Sequence, residues 1–251
     1  MIIEYHRPQS LQEALALLSR EGITTVPMAG GSVLNRPSEK PIAVVDLQAL
    51  RLNKAQQRGN QLLLGATLTL QDMLRMPSLQ TALVSAITHE ATYQLRQVAS
   101  VAGTLVATHG RSPFTTAMLA LDAHLTILPE DEQLSLGNFL PLRNQHLQGR
   151  LITQVTIPVN VRLEYEYVAR TPADLPIVCV AMAQWASGRT RVALGGFGEA
   201  PVLAMDGPNS EGAELAAYNA YIKAEDEWAS ARYRCQLAKT LCLRCLDKIS
   251  K

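Results

Sequence analysis

The sequence predicts an α+β fold laid out in three successive segments, and three observations carry that expectation. Helical and strand-like periodicities alternate over the first 50 residues. Two glycines stand together where a buried strand should end. From about Val161 the texture changes to short apolar strands followed by helices. The expected divisions are 1–50, 51–160 and 161–251.

In "SLQEALALLSREG" (10–22), Ser10 and Glu13 have capping-box spacing, and Leu11, Ala14, Leu15 and Leu18 form one helical face. Gly22 is placed for a left-handed C-cap. "TTVPM" and "IAVVD" read as buried strands of a βαβ-like start, with "AGGSVLNRPSEKP" as a loop between them. A glycine pair at a strand end, followed by Ser32 and Asn35, either turns the chain or lets backbone N–H groups approach an anion.

"RLNKAQQRGNQLLLGAT" reads as a hairpin turning at Arg58-Gly59-Asn60. Thr69 and Asp72 cap a short helix, and Pro77 with Ser78 opens another. "ATYQLRQVASVAGTLVATHGRSPF" has few charges and many small residues, which suits tightly packed backbone. "TTAMLALDA" is expected as helix, "HLTIL" as strand, "PEDEQ" as a solvated turn and "LITQVTIPV" as the last strand of the segment. "LEYEYVAR", "IVCVAMAQWA" and "TRVALGGFG" then give three strands, with a turn at Ser187-Gly188. Two helices follow, the second over "ARYRCQLAKTLCLRCLDK".

The 251 residues carry a formal net charge of +1, which argues against bulk attraction to nucleic acid or anionic membranes. No apolar stretch approaches the roughly 18 to 20 residues of a membrane span, and "MIIEYHRPQS" lacks the pattern of a secretory signal. The expected setting is cytoplasmic. Cys242 and Cys245 of "CLRC" could be half a zinc site or a redox pair. No second ligand pair stands at the right spacing, and Leu237, Leu241 and Leu246 favour buried small apolar residues instead. The histidines at 6, 89, 109, 124 and 146 show no metal-ligand spacing, so no metal site is expected. No Gly-x-Ser-x-Gly elbow is present for nucleophilic catalysis.

Several fragments occur in one fixed order: "YHRPQSLQEALALLSREG", "AGGS", "VVDLQAL", "LLLGATLTLQDM", "QLRQVASVAGTL", "LALDAHLTIL", "VALGGFGEAPVLA" and "ARYRCQLAKTLCLRCL". Together they resemble the FAD-binding subunit of the molybdenum hydroxylases, the family of the carbon monoxide dehydrogenase medium subunit and the xanthine dehydrogenase flavin domain. The resemblance covers essentially the whole chain. It implies a PCMH-type (vanillyl-alcohol-oxidase-like) FAD-binding fold, with subdomains at 1–50 and 51–160, and a C-terminal α+β domain at 161–251.

The resemblance implies that backbone around Ala29, Gly30, Gly31, Ser32, Val33 and Leu34 holds the FAD diphosphate, Val33 standing where the family is usually polar. A second motif implies contacts from Ser100, Ala102, Gly103 and Thr104, with Ala102 in place of a glycine. His109 and Pro113 stand where the family carries two acids near the flavin. His109 is either a donor to a phosphate or ribityl oxygen or a loop histidine in water. Asp174 matches an acid near the isoalloxazine, as Arg170 matches an arginine, while Tyr167, Leu175 and Pro176 depart from the pattern. Arg111 is either a phosphate contact or a surface charge. Arg96 and Arg170 read as structural or partner-facing, and "GGFG" (195–198) as tight backbone packing.

The activity implied is that of an oxidoreductase subunit. Electrons released at a molybdopterin centre in a large partner subunit pass through 2Fe-2S clusters of a small partner subunit to FAD held here, and on to NAD, a quinone or another acceptor. No side chain is assigned as catalytic, because the cofactor carries the chemistry. The alternative is a flavin-less structural or assembly subunit that kept the fold. A third reading has FAD bound in an altered pose or serving a different acceptor.

Overall fold

The computed structural model describes residues 1–34, 40–77 and 79–250. Asn35 and Ser78, both singled out in the sequence, lie outside the described residues. In chain order the elements are β1 (Ile2–His6), α1 (Leu11–Leu18), β2 (Thr25–Met28), β3 (Ile42–Asp46), β4 (Ala55–Arg58), β5 (Gln61–Gly65), α2 (Leu70–Leu74), α3 (Thr81–Glu90), α4 (Tyr93–Arg96), α5 (Val101–Val106) and α6 (Pro113–Ala120). They continue with β6 (His124–Leu128), β7 (Glu132–Ser135), α7 (Leu136–Phe139), α8 (Arg143–His146), β8 (Leu151–Pro158), β9 (Val161–Val168), β10 (Val178–Trp185), β11 (Thr190–Gly195), β12 (Val202–Gly207), α9 (Ala213–Asn219) and α10 (Ala231–Ile249). The chain interleaves two compact units. Unit 1 comprises Met1–Arg75, Tyr93–Ala107 and His124–Thr156; unit 2 comprises Met76–Thr92, Thr108–Ala123 and Ile157–Lys251.

Unit 1 opens with a parallel sheet of order β1-β3-β2. Ser10 Oγ accepts the Glu13 N–H at 3.2 Å, a cap that stabilises a helix by about 1 kcal/mol. The Glu13 carboxylate reaches back to the Gln9 N–H, one residue before the cap. Ala14 and Leu18 of α1 bury against Val45, Leu47 and Leu151. The helix ends earlier than a Gly22 cap would require: the N–H and hydroxyl of Ser19 both bond the Leu15 carbonyl. Gly22 takes its left-handed φ of 96° in the turn that follows. β3 is buried from Ala43 to Asp46, whereas β2 is only half-buried because it is the sheet edge, a position that also tolerates Pro27.

A second sheet of unit 1 has the order β4-β5-β8-β6-β7. The β4–β5 hairpin turns through Gly59 at φ 56°. The solvated turn expected over "PEDEQ" is shorter than that. Glu132 and Gln133 already belong to β7, paired with β6, and Arg150 bridges Glu130 and Glu132 at 2.8 and 2.5 Å.

Unit 2 is an antiparallel sheet of order β12-β11-β10-β9 with helices on both faces. Strand side chains alternate, so Val178, Val180 and Met182 pack with Ala238, Leu241, Cys242 and Cys245 of α10. On the opposite face Cys179 Sγ lies 3.6 Å from Thr116 Oγ1 of α6, a helix buried at every residue. Two covered faces explain why β10 reads as an unbroken apolar run. Cys235, Cys242 and Cys245 share the buried stripe of α10, and burial pushes the Cys242 thiol up to about 12. The fourth strand, β12, went unread in the sequence; Val202 and Leu203 at its start are exposed, so its apolar pattern does not mark a buried face.

α6 begins with Ser112 as cap and Pro113 in its first turn. Its entrance also receives Glu90 from the end of α3: Glu90 Oε2 accepts the Ser112 hydroxyl at 2.8 Å and the Phe114 N–H at 2.9 Å. Burial raises this carboxyl to about 7, against the opposing pull of those two donors. A group whose pKa rises on folding favours the fold most while it is protonated. Stability from Glu90 is therefore complete below pH 4.5 and lost as pH rises through about 7. Between pH 5 and 8, Glu90→Gln should remove on the order of 2–3 kcal/mol of pH dependence from urea unfolding. A variant with the wild-type pH slope would contradict this assignment.

Candidate functional site

The carboxyl ends of β2 and β3 are level, with Met28 opposite Asp46 and the Leu47 N–H bonded to the Met28 carbonyl at 2.9 Å. The chain leaves this end through Ala29 and Gly30. A Cβ on Gly30 would stand 1.8 Å from the Val98 carbonyl oxygen, so close backbone approach dictates this glycine. Gly31 is required for a different reason, a left-handed φ of 68°. Among the described residues, no protein acceptor is paired with the N–H groups of Gly30, Gly31, Ser32 or Val33. Consecutive unpaired amides around a left-handed residue make a concavity suited to an anion. Ala29, Ser32 and Leu34 are half-buried beside it, and Val33 is exposed.

The second predicted bend lies in the same unit, two residues beyond Val98. Ser100 bridges to Thr69 and caps α5, its Oγ accepting the Gly103 N–H at 3.1 Å. The other amides are taken as well: Val101 donates to the Leu68 carbonyl, Ala102 to Ala66 and Thr104 to Ser100. Ala102 is buried and Gly103 exposed. The fold thus brings the bend at Ala29–Leu34 against the segment that leads into Ser100–Thr104. The two bends differ: one has unpaired donors, the other has spent its own.

His109 and Asp174 belong to unit 2. His109 Nδ1 accepts the Arg111 N–H at 3.2 Å. The Asp174 carbonyl accepts His89 Nε2–H at 2.7 Å, and the His89 ring lies 4.1 Å from that of Tyr167. Burial lowers the His89 pKa, against the opposing pull of the Asp174 carbonyl. Gly110 is clasped by "GGFG", donating to the Gly198 carbonyl and accepting from Gly196 at 2.9 and 2.7 Å. A Cβ on Gly110 would meet the Phe197 carbonyl at 2.0 Å.

Arg111 is tied to the backbone of unit 2 rather than standing free on the surface. Its Nε donates to the Pro176 carbonyl at 2.9 Å, its Nη2 donates to that of Leu175, and its guanidinium covers the Trp228 indole at 4.4 Å. Arg170 lies over the same indole at 4.9 Å. Trp228 and the wholly buried Arg234 escaped the sequence reading. The only local signal was the turn "DEWA", in which Asp226 Oδ1 accepts the N–H groups of Trp228 and Ala229.

Residues 1–160 match the family model described as the FAD binding domain in molybdopterin dehydrogenase. The Escherichia coli (strain K12) protein named YgfM is 30% identical over 242 residues, covering 93% of this chain and 91% of its own. The carbon monoxide dehydrogenase medium chain of Hydrogenophaga pseudoflava is 23% identical over 206 residues, covering 74% and 70%. A chain of the reconstituted CO dehydrogenase from Oligotropha carboxidovorans shares the fold with a TM-score of 0.82, at 22% identity over 97% of this chain and 96% of that one. The α+β architecture is accordingly of the PCMH-type FAD-binding class. This chain belongs to the family of FAD binding domains in molybdopterin dehydrogenases.

Proposed function

We propose that this chain is the FAD-holding electron-transfer subunit of a multi-subunit molybdopterin-dependent dehydrogenase or hydroxylase. The observation that carries the proposal is the row of unpaired N–H groups from Gly30 to Val33, in a chain of this family. Four successive N–H donors with no partner among the described residues suit a diphosphate, and the glycines keep side chains out of its way. Ala29, Ser32 and Leu34 would flank the phosphates, and Ser100, Ala102, Gly103 and Thr104 would contribute surface rather than amides. His109 and Asp174 are proposed as cofactor contacts on the family resemblance alone. Bound FAD would supply both one- and two-electron chemistry, accepting electrons singly and delivering a pair.

The residues of this chain bind and orient; none is asked to move a proton. In the proposal, electrons come from 2Fe-2S clusters of a small partner subunit, fed by a molybdopterin-binding large subunit that selects the substrate, and leave to NAD, a quinone or another acceptor. No helix among the described residues is long and apolar enough to cross a membrane, which suits a cytoplasmic complex.

One observation favours a second reading, that of a structural subunit without flavin: all amides from Val101 to Thr104 are already bonded within the chain. Expressing the chain alone, recording its visible spectrum and weighing the released chromophore separates the two. Protein that stays colourless after incubation with FAD, yet assembles with its partners, would establish the structural subunit. In a yellow protein, Gly31→Asp places a carboxylate against the diphosphate and should weaken FAD binding by roughly 100-fold or more, with unchanged circular dichroism. Normal flavin content in that variant would remove the role from this loop.

A further inference from the structure

Unit 2 contains a guanidinium that is stacked on an indole and has no acceptor among the described residues. Arg170 is exposed and stacks on Trp228 at 4.9 Å. Among the described residues, no carboxylate or carbonyl is paired with it. Stacking uses only the face of a guanidinium; its five N–H groups lie in the plane and stay available for bidentate recognition of an oxyanion.

The platform beneath it is rigid. Asp226 Oδ1 fixes the Trp228 N–H at 2.9 Å and is itself bound by Arg234 Nη2 at 2.6 Å. Arg234 is fully buried and anchored on the Ile177 and Gly196 carbonyls. Arg111 occupies the same indole, with its Nε and Nη2 donating to the Pro176 and Leu175 carbonyls.

We propose that Arg170, presented on the Trp228 indole, binds a phosphate group, carried by a nucleotide or free. A phosphate matches the planar fork with two parallel charge-assisted hydrogen bonds. The phosphate site and the Gly30–Val33 amides can be tested apart, since Arg170, Trp228 and Arg234 lie in unit 2 and those amides lie in unit 1.

Trp228 reports on its own site. The chain has two tryptophans, so Trp185→Phe leaves Trp228 as the sole indole emitter. Titrating this full-length variant with ADP and with inorganic pyrophosphate should change its emission saturably, whereas adenosine should not. Tighter binding of ADP than of pyrophosphate identifies a nucleotide as the carrier, and equal binding identifies the free anion. Arg170→Gln should raise both dissociation constants roughly tenfold, with Arg170→Lys falling between because it keeps the charge and loses the fork. Calorimetry on the otherwise native chain repeats the measurement without the Trp185 change. The Gly31→Asp background should leave the titration unaltered. An unsaturable response, equal affinity in Arg170→Gln, or loss of the signal in Gly31→Asp would each overturn the proposal.

Discussion

Arg234→Met is expected to destabilise unit 2 by about 3–5 kcal/mol, the cost typical of leaving one member of a buried ion pair behind. The side chain is wholly inaccessible, and three acceptors converge on it: Asp226 Oδ1 at 2.6 Å and the Ile177 and Gly196 carbonyls at 2.9 and 2.5 Å. Methionine fills much of the volume and satisfies none of them. Asp226, which is partly accessible, can turn to water, but the two carbonyls lie beside the core and cannot. Because Asp226 also fixes the Trp228 turn, the variant should show altered indole fluorescence before global unfolding. Urea denaturation followed by both emission and circular dichroism measures the two effects. A loss below about 1 kcal/mol, the size of an ordinary surface change, would mean that the network relaxes with little penalty.

Gly30→Ala is expected to empty the flavin site while leaving most of the fold intact. Its methyl would lie 1.8 Å from the Val98 carbonyl oxygen, far inside any permitted contact, so one of the two backbones must move. Gly30 is exposed, and the loop can therefore swing toward solvent rather than break the core. The stability cost then stays within the range of about 1–3 kcal/mol seen for overpacking. The row of N–H groups moves with the loop, and a shift of that size misplaces every donor at once. The flavin-to-protein ratio of purified Gly30→Ala, measured beside its unfolding curve, tests this. A variant that keeps a full complement of FAD would show that the close approach to Val98 is not what shapes the cradle.

Local signals in this chain were readable where the partner of a group is only a few residues away. Ser10 and Thr69 each cap the N–H three residues on, and the strands β3 and β10 declared themselves through unbroken apolar runs. Gly30 and Gly31 were legible as special backbone, although not that one answers a contact and the other a torsion. What stayed hidden depends on distant backbone. Arg234 looks like a surface residue of an ordinary helix until the Ile177 and Gly196 carbonyls are placed beside it. The same holds for Arg111, whose acceptors at Leu175 and Pro176 come from a separate segment. At the second bend the motif suggested donors, and only the positions of Leu68 and Ala66 reveal that those donors are already in use.

The interleaving of the two units bears on how the chain is made. α3 and α6 are synthesised early, yet the strands that cover them, β9 to β11, follow much later. During translation the largely apolar α6 has only α3 for native shelter until β9 to β11 emerge, and α10 closes the opposite face of the sheet only at the end. Folding of unit 2 is thus a late event in biosynthesis, and a ribosome stalled after β8 would display a nascent chain whose most greasy helix is a natural ligand for a holdase chaperone.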